Sequence, residues 1–548
     1  MKSKYSQWYH PYKPAKEFNK KAAYFSMEFA LDQALKTYSG GLGFLAGSHM
    51  RSAYDRKQNM IGVGMLWKYG YYDQVRQPDQ TLGTAFIEKN YTFLEDSGIE
   101  VEIGILDNPH VKVRAYVLKP EIFGTVPMYF LTTDVDGNDH LSRTITDRLY
   151  DANELTRISQ SIVLGIGGAK VVEALGGADI YHLNEGHALP AFYYLNDKGI
   201  EREHLVFTTH TPEKAGNEER DGNFLNRMGF FGRKLSSKEL EQITLPNGML
   251  NYTVAAMQFS KRTNAVSKLH SKVSKEMWKD YDNISEIIPI TNAQHQPYWQ
   301  DPLVEKAWKK RDGKSYLERK KQLKEILFKE VANQTGKLFD PDILTIVWAR
   351  RFAGYKRADL LLHDMERLEK ILANTKMPVQ IIWAGKPYPR DFNAIDTFNR
   401  LIHFSKYRSN CAVLIGYEME LSRMLKEGSD IWLNNPRVTR EASGTSGMTA
   451  AMNGSVNLST DDGWIPEFAE DGKNCFVIPA VDHKLHFQIQ DEMDAKNLYE
   501  ILEKKVLPTY YEDHADWVNI VFNAIDGVTP EFTSNRMATE YYSLMYNK

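Results

Sequence analysis

The sequence predicts an α/β protein built of doubly wound domains, and three observations predict it. Short, largely apolar runs at 205–209, 343–348, 379–384 and 412–415 have the character of parallel strands covered on both faces. Helical patterns separate them. Over 358–373, for example, Leu360, Leu361, Met365, Leu368 and Ile371 fall on one side. Strand–helix alternation of this kind builds parallel sheets with helices on both faces. The length, 548 residues, is enough for two to four domains.

The remaining elements follow in order. A glycine loop, Gly40-Gly41-Leu42-Gly43, precedes a helical stretch over 44–55. The boundary between domains is placed at 285–300, around Ile288-Pro289-Ile290-Thr291-Asn292. The charged stretch 304–333 carries Leu317, Leu323, Ile326, Leu327 and Val331 at helical spacing. It reads as an amphipathic helix opening the second domain, not as a basic nucleic-acid patch. Residues 491–511 read as a helix with Pro508 after it, and 536–546 as the last helix. There is no internal repeat and no low-complexity tract.

Composition bounds the function without naming it. Hydrophobic residues are 42% and charged residues 25%, ordinary for a globular protein. The net charge of −3 gives no bulk attraction to nucleic acid or to an anionic membrane. Two cysteines, Cys411 and Cys475, make neither a disulfide framework nor a metal-ligand spacing. The first residues lack an apolar signal core, and no run approaches the ~18 apolar residues of a spanning helix. A cytoplasmic location is the default expectation.

Several segments carry chemistry. Glycines at 40, 41 and 43 let backbone amides approach a phosphate, and a helix N-terminus adds its dipole. Taken alone, such a loop is more often a tight turn. Arg350, Arg351, Lys356 and Arg357 stand at and beyond the carboxyl end of the 343–348 strand, where open α/β sheets bind ligands. Guanidinium and ammonium groups there suit phosphate oxygens, although Arg357 also reads as a structural ion-pair partner. The run 443–447 before a helical 448–452 reads as an anion nest or as a helix cap supplied by Thr445 or Ser446. No Ser-His-Asp order, Walker loop or zinc motif stands out, and no metal site is expected.

Many ordered motifs together resemble the α-glucan phosphorylase family. They are Tyr24-Phe25-Ser26-Met27-Glu28-Phe29, Tyr38-Ser39-Gly40-Gly41-Leu42-Gly43, His182-Leu183-Asn184-Glu185-Gly186-His187 and Phe207-Thr208-Thr209-His210-Thr211-Pro212. Later come Ala349-Arg350-Arg351-Phe352-Ala353-Gly354-Tyr355-Lys356-Arg357 and Glu441-Ala442-Ser443-Gly444-Thr445-Ser446-Gly447-Met448-Thr449. The resemblance runs from about residue 22 to the C-terminus and is nearest the short prokaryotic type.

It implies two Rossmann-like domains of glycosyltransferase B type facing across a cleft. Residues 1–290 would form the acceptor side with the glycine loop. Residues 291–530 would form the phosphate or donor side, and a 531–548 helix would return to the first domain. The implied activity is retaining α-glucosyl transfer on α-1,4-glucan or maltodextrin, with phosphate and glucose 1-phosphate. By resemblance, His210, Arg351 and Lys356 are catalytic. Gly40, Gly41, Asn184, Arg350, Glu441, Ser443 and Gly444 bind substrate or phosphate. Thr445, Ser446, Thr449 and Tyr417 line the cofactor pocket. Arg157 resembles a site-lining arginine, and His187 belongs to the acceptor-side loop. No nucleic acid or membrane partner is implied, and a homodimer is among the assemblies allowed.

Two departures coincide. The family lysine that holds pyridoxal phosphate as a Schiff base is Thr449 here, and a hydroxyl forms no imine. The family's Tyr-Arg pair beside the cofactor is Tyr417-Glu418 here. The expectation is therefore a phosphorylase-like glucosyltransferase without covalent pyridoxal phosphate. The alternatives are a cofactor-free transferase using a nucleotide-sugar donor and a non-catalytic glucan-binding relative.

Overall fold

The computed structural model describes residues 3–548. It divides into two compact units. The first holds the residues through Tyr72, Phe86–Thr291 and Ser534–Lys548, and the second holds Asp73–Ala85 and Asn292–Thr533.

A nine-stranded sheet forms the spine of the first unit. In spatial order its strands are Glu286–Pro289, Arg262–Ala265, Leu205–Thr209, Ile180–Asn184, Ala22–Ser26, Met60–Met65, Met128–Thr132, Asn108–Leu118 and Glu95–Ile105. The first seven run parallel. The last two form an antiparallel hairpin on the sheet's edge. Ala22–Ser26 and Ile180–Asn184 are buried throughout, as a sheet covered on both faces requires, whereas buried and exposed positions alternate in Glu95–Ile105. The C-terminal segment is tied into this unit. Ser534 shares a hydroxyl bond with Ser52 at 2.5 Å, and the Tyr546 hydroxyl meets His182 Nδ1 at 2.7 Å.

The second unit has a six-stranded, wholly parallel sheet. Its order is Cys411–Leu414, Val379–Ala384, Leu344–Ala349, Ile431–Asn434, Val456–Thr460 and Phe476–Ile478. The first strand in sequence is thus central, and the chain winds outward from it in both directions. This is the doubly wound arrangement, with its switch point between Leu344–Ala349 and Ile431–Asn434. Alternate side chains feed two cores. Ile346, Trp348, Ile381, Trp383 and Leu433 pack in one, while Val347, Ala349, Ile382, Ala384 and Trp432 pack in the other. The mixed α/β architecture with parallel sheets is as the alternation predicts.

Several elements differ from the expectation. The helix expected over 358–373 is a 3-10 turn, Leu360–His363, followed by the helix Met365–Leu372. Asp364 restarts it, accepting the Arg367 amide as a cap at 3.0 Å. The 304–333 helix is two helices, Pro302–Lys310 and Gly313–Thr335, split where Arg311 turns left-handed at φ 54°. Pro508 does not follow the 491–511 helix. It stands within Leu507–Glu512, which continues the helix Phe487–Ile501 after a π-type turn over Leu502–Val506. The helix expected from 44 begins at Gly41, so the glycine loop supplies its first turn. The hairpin Asp73–Ala85 was assigned to the first domain but lies in the second unit. There Gln74 donates to Gly385 O at 2.9 Å and accepts the Gly416 and Tyr417 amides at 2.9 and 3.1 Å.

Among the described residues, no helix is long and apolar enough to cross a membrane. Nor is any group of three or more His, Cys, Asp or Glu residues placed to hold a metal ion. Both cysteines are buried and free.

Candidate functional site

The second unit gathers charge at its switch point. The Leu344–Ala349 strand delivers Arg350 at its carboxyl end, and Arg350 is only 6% exposed. Phe352 then anchors the chain, packing edge-on against Trp348 and Phe398 at 4.9 Å each. The next turn brings Lys356 inward. Its ammonium lies 2.9 Å from Glu441 Oε2, and Arg350 Nη1 lies 3.4 Å from the same oxygen. Arg351 is exposed, contacts Tyr355 and acts electrostatically on both Lys356 and Glu441. Arg357 is structural. Its guanidinium binds Asp491 at 3.0 Å, Asp494 at 2.7 Å and the carbonyls of Asn435 and Pro436.

Burial pulls the Lys356 ammonium down to about 8, with Glu441 opposing. Burial also works to raise the Glu441 carboxyl, but Lys356 and Arg350 outweigh it, so Glu441 titrates below its ordinary value. The cluster is therefore ionised at neutral pH. It is not saturated. Arg350 Nε and Ser443 Oγ are buried without a hydrogen-bond partner, and Arg350 Nη1 has its 3.4 Å ion pair with Glu441 in place of one. Such buried atoms carry a desolvation cost that a polar or anionic ligand relieves.

Gly444, at φ 86°, lets the segment fold over this cluster. A Cβ there would stand 3.3 Å from Glu441 Cγ and 3.8 Å from Arg350 Nη2. Ser446 opens the helix Ser446–Met452, and its Oγ accepts the Trp432 indole N–H at 3.3 Å. Thr445 occupies the N-cap position without a side-chain cap bond. Thr449 is fully buried and donates its hydroxyl to Ser446 O at 3.0 Å. Tyr417 is buried and donates to Ala349 O at 3.3 Å. Its neighbour Glu418 pairs with Lys386 at 3.1 Å.

The first unit also gathers its predicted residues at a switch point, between Ala22–Ser26 and Ile180–Asn184. Glu28, 3% exposed, follows the first of these strands. Its carboxylate accepts the Ser39 amide at 2.7 Å, the Ser39 hydroxyl at 2.9 Å, the Gly40 amide at 3.0 Å and the Tyr150 hydroxyl at 2.5 Å. These bonds fix the glycine loop. A Cβ at Gly40 or Gly41 would meet nothing within 4 Å, so both face open space. Tyr150→Phe removes one donor while three remain. We expect it to lower the unfolding free energy by about 1 kcal/mol, measured by urea denaturation.

Asn184 Oδ1 lies 2.7 Å from His210 Nε2, which assigns the ring's proton to Nε2. The His210 amide donates to Glu185 Oε2 at 2.8 Å. Burial lowers the His210 ring to about 3, with His270 and His187 adding to the effect, so the ring is neutral. Glu185 pays for that geometry with φ 73°. Arg157 pairs with Glu218 at 2.8 Å and lies over the Tyr150 ring.

The structure thus groups Arg350, Arg351, Lys356, Glu441, Ser443 and Gly444 in one unit, with Tyr417 and the Thr445, Ser446 and Thr449 helix alongside. It groups Gly40 and Gly41 on Glu28, and Asn184 with His210, in the other. Sequence reasoning gave Glu28 and Tyr150 no role. The signal for Glu28 was an acidic residue two positions past a largely apolar strand.

Fold and site define a doubly wound α/β protein with an ionised, partly unsatisfied cation–carboxylate cluster at a sheet switch point. The family model described as carbohydrate phosphorylase matches residues 294–502. The maltodextrin phosphorylase of Thermococcus litoralis is 34% identical over 586 residues, covering 96% of this chain and 70% of the relative. The glycogen phosphorylase of Aquifex aeolicus is 30% identical over 611 residues, covering 97% and 87%. An uncharacterized protein of Methanocaldococcus jannaschii is 48% identical over 535 residues, covering 96% and 100%. The chain belongs to the carbohydrate phosphorylase family.

Proposed function

We propose that this protein carries out retaining α-glucosyl transfer on α-1,4-glucans, exchanging glucan and phosphate for glucose 1-phosphate. The observation that carries the reading is the buried Arg350–Lys356–Glu441 cluster, with Arg350 Nε and Ser443 Oγ buried without hydrogen-bond partners. In this reading Arg351 and Lys356 hold the phosphate, and Arg350 adds charge behind them. Glu441, Ser443 and Gly444 fix sugar hydroxyls. Gly40 and Gly41 offer amides to an anion, Asn184 serves the acceptor sugar, and His210 presents its backbone carbonyl. The bond broken joins the anomeric carbon to the glucan oxygen. The bond formed joins that carbon to phosphate, and the phosphate proton passes to the leaving oxygen. Cations beside the phosphate stabilise the charge that develops.

Pyridoxal phosphate, the cofactor of the resembling family, does not fit here as a covalent group. The helix Ser446–Met452 bears no lysine, and the Thr449 hydroxyl is spent on Ser446 O. Lys356 and Lys386 are engaged with Glu441 and Glu418. We therefore assign no covalent cofactor and derive no step through one. The same two departures favour a second reading, in which a nucleotide-sugar phosphate uses the cations. Incorporation of labelled glucose into maltodextrin, compared between glucose 1-phosphate and nucleoside-diphosphate glucoses, tests both. Incorporation from glucose 1-phosphate is expected. Incorporation only from the nucleotide sugars selects the second reading, and none from either rejects enzymatic transfer.

A pH dependence follows. Lys356 acts protonated, and burial brings its ammonium to about 8. kcat/KM is expected to fall as pH rises through about 8, where an ordinary lysine would keep its charge to ~10. A profile flat to pH 10 would remove Lys356 from the charged role.

A further inference from the structure

We propose that Asp462 is the positioning residue for the sugar-binding segment 440–444. The proposal rests on the assignment of Glu441, Ser443 and Gly444 to the glucosyl unit. Asp462 lies just past the Val456–Thr460 strand and is 2% exposed. Its Oδ2 accepts the amides of Arg440 at 3.1 Å and Glu441 at 2.9 Å, and its Oδ1 accepts the Gly463 amide at 2.9 Å. Two residues on, the Trp464 amide donates to Ser443 O at 3.0 Å. Gly463, at φ 63°, passes so close that a Cβ would stand 2.3 Å from the same carbonyl. The turn 462–464 therefore grips the segment at three residues: 440, 441 and 443.

The segment needs an external grip. It belongs to no helix or strand, and it is flanked by left-handed backbone at Thr439 (φ 73°) and Gly444 (φ 86°). Lys356 and Arg350 draw on the Glu441 side chain, and the Asp462 bonds hold the Arg440 and Glu441 backbone against that pull. Burial raises the Asp462 carboxyl to about 7, and amide donors including that of Glu441 oppose the shift. This buried carboxyl accepts three amides, two of them donated by the segment itself.

The test is Asp462→Ala in the full chain. Both acceptor oxygens are removed, so the amides of Arg440, Glu441 and Gly463 all lose this partner. Amide hydrogen exchange at Arg440 and Glu441 is expected to quicken tenfold or more, while the strand Leu344–Ala349 is unchanged. KM for glucose 1-phosphate is expected to rise about tenfold, with KM for maltodextrin within about twofold. Unchanged exchange at 440 and 441 overturns the brace. Faster exchange with an unchanged KM for glucose 1-phosphate overturns its role in sugar binding. Gly463→Ala keeps the carboxylate and presses on Ser443 instead. The same KM split is expected from it, and an unaltered KM there counts against the proposal even where Asp462→Ala fails to fold. A wild-type protein that shows the protected amides but turns over no glucose 1-phosphate defeats the functional reading, while the exchange result still supports the brace.

Discussion

Lys356→Ala lowers glucosyl transfer by a factor on the order of 10² or more. Lys356 is the buried cation nearest Glu441, at 2.9 Å, and its charge is largely withdrawn from water. A preorganised charge of this kind in a water-poor site contributes on the order of 10²–10³ in rate when it faces charge that grows in the transition state. The variant should fold. Arg350 remains 3.4 Å from Glu441 and still neutralises it, so the carboxylate is not left alone. Thermal unfolding followed beside the activity assay separates the two effects. Turnover equal to wild type in a folded Lys356→Ala protein removes Lys356 from the reaction.

Borohydride reduction of the purified protein yields no pyridoxyl-lysine. The imine needs a lysine amine held at the cofactor's aldehyde, and position 449 offers a buried hydroxyl already bonded to Ser446 O. Thr449→Lys restores the amine but not the positive charge beside it, because Glu418 stands next to Tyr417 and is bound by Lys386 at 3.1 Å. Partial recovery of phosphorolysis is therefore the expected result for Thr449→Lys with added pyridoxal phosphate. Peptide mass mapping that finds a pyridoxyl adduct on any wild-type lysine contradicts the account. Full activity from Thr449→Lys alone shows Glu418 to be harmless.

Much of the fold was legible because burial on both faces leaves a plain mark. The runs at 343–348 and 379–384 are strands to within a residue, since a parallel strand between two helix layers is mostly apolar along its length. Boundaries set by one local bond were not legible. Asp364 restarts a helix through a single amide contact, and Arg311 breaks one by turning left-handed, although its side chain reads as helix-forming. Residues 73–85 join the second unit through Gln74, whose partners lie more than 300 positions away.

The site divides the same way. Arg350, Arg351 and Lys356 announced themselves as cations at a strand end. Glu28 and Asp462 did not, because their partners include backbone amides of loops, and a loop amide has no sequence signature. The conformation of Glu185, at φ 73°, is likewise invisible in its identity, since a glutamate is an unusual residue for that backbone.

The most direct test of glucosyl transfer at this site is the stereochemistry of its product. Purified protein is incubated with maltoheptaose and α-glucose 1-phosphate, and the lengthened chains are read by proton NMR. The account predicts new α-1,4 linkages, formed slowly and reduced on the order of 10²-fold or more in Lys356→Ala. Chains of unchanged length, or new linkages of β configuration, would contradict it.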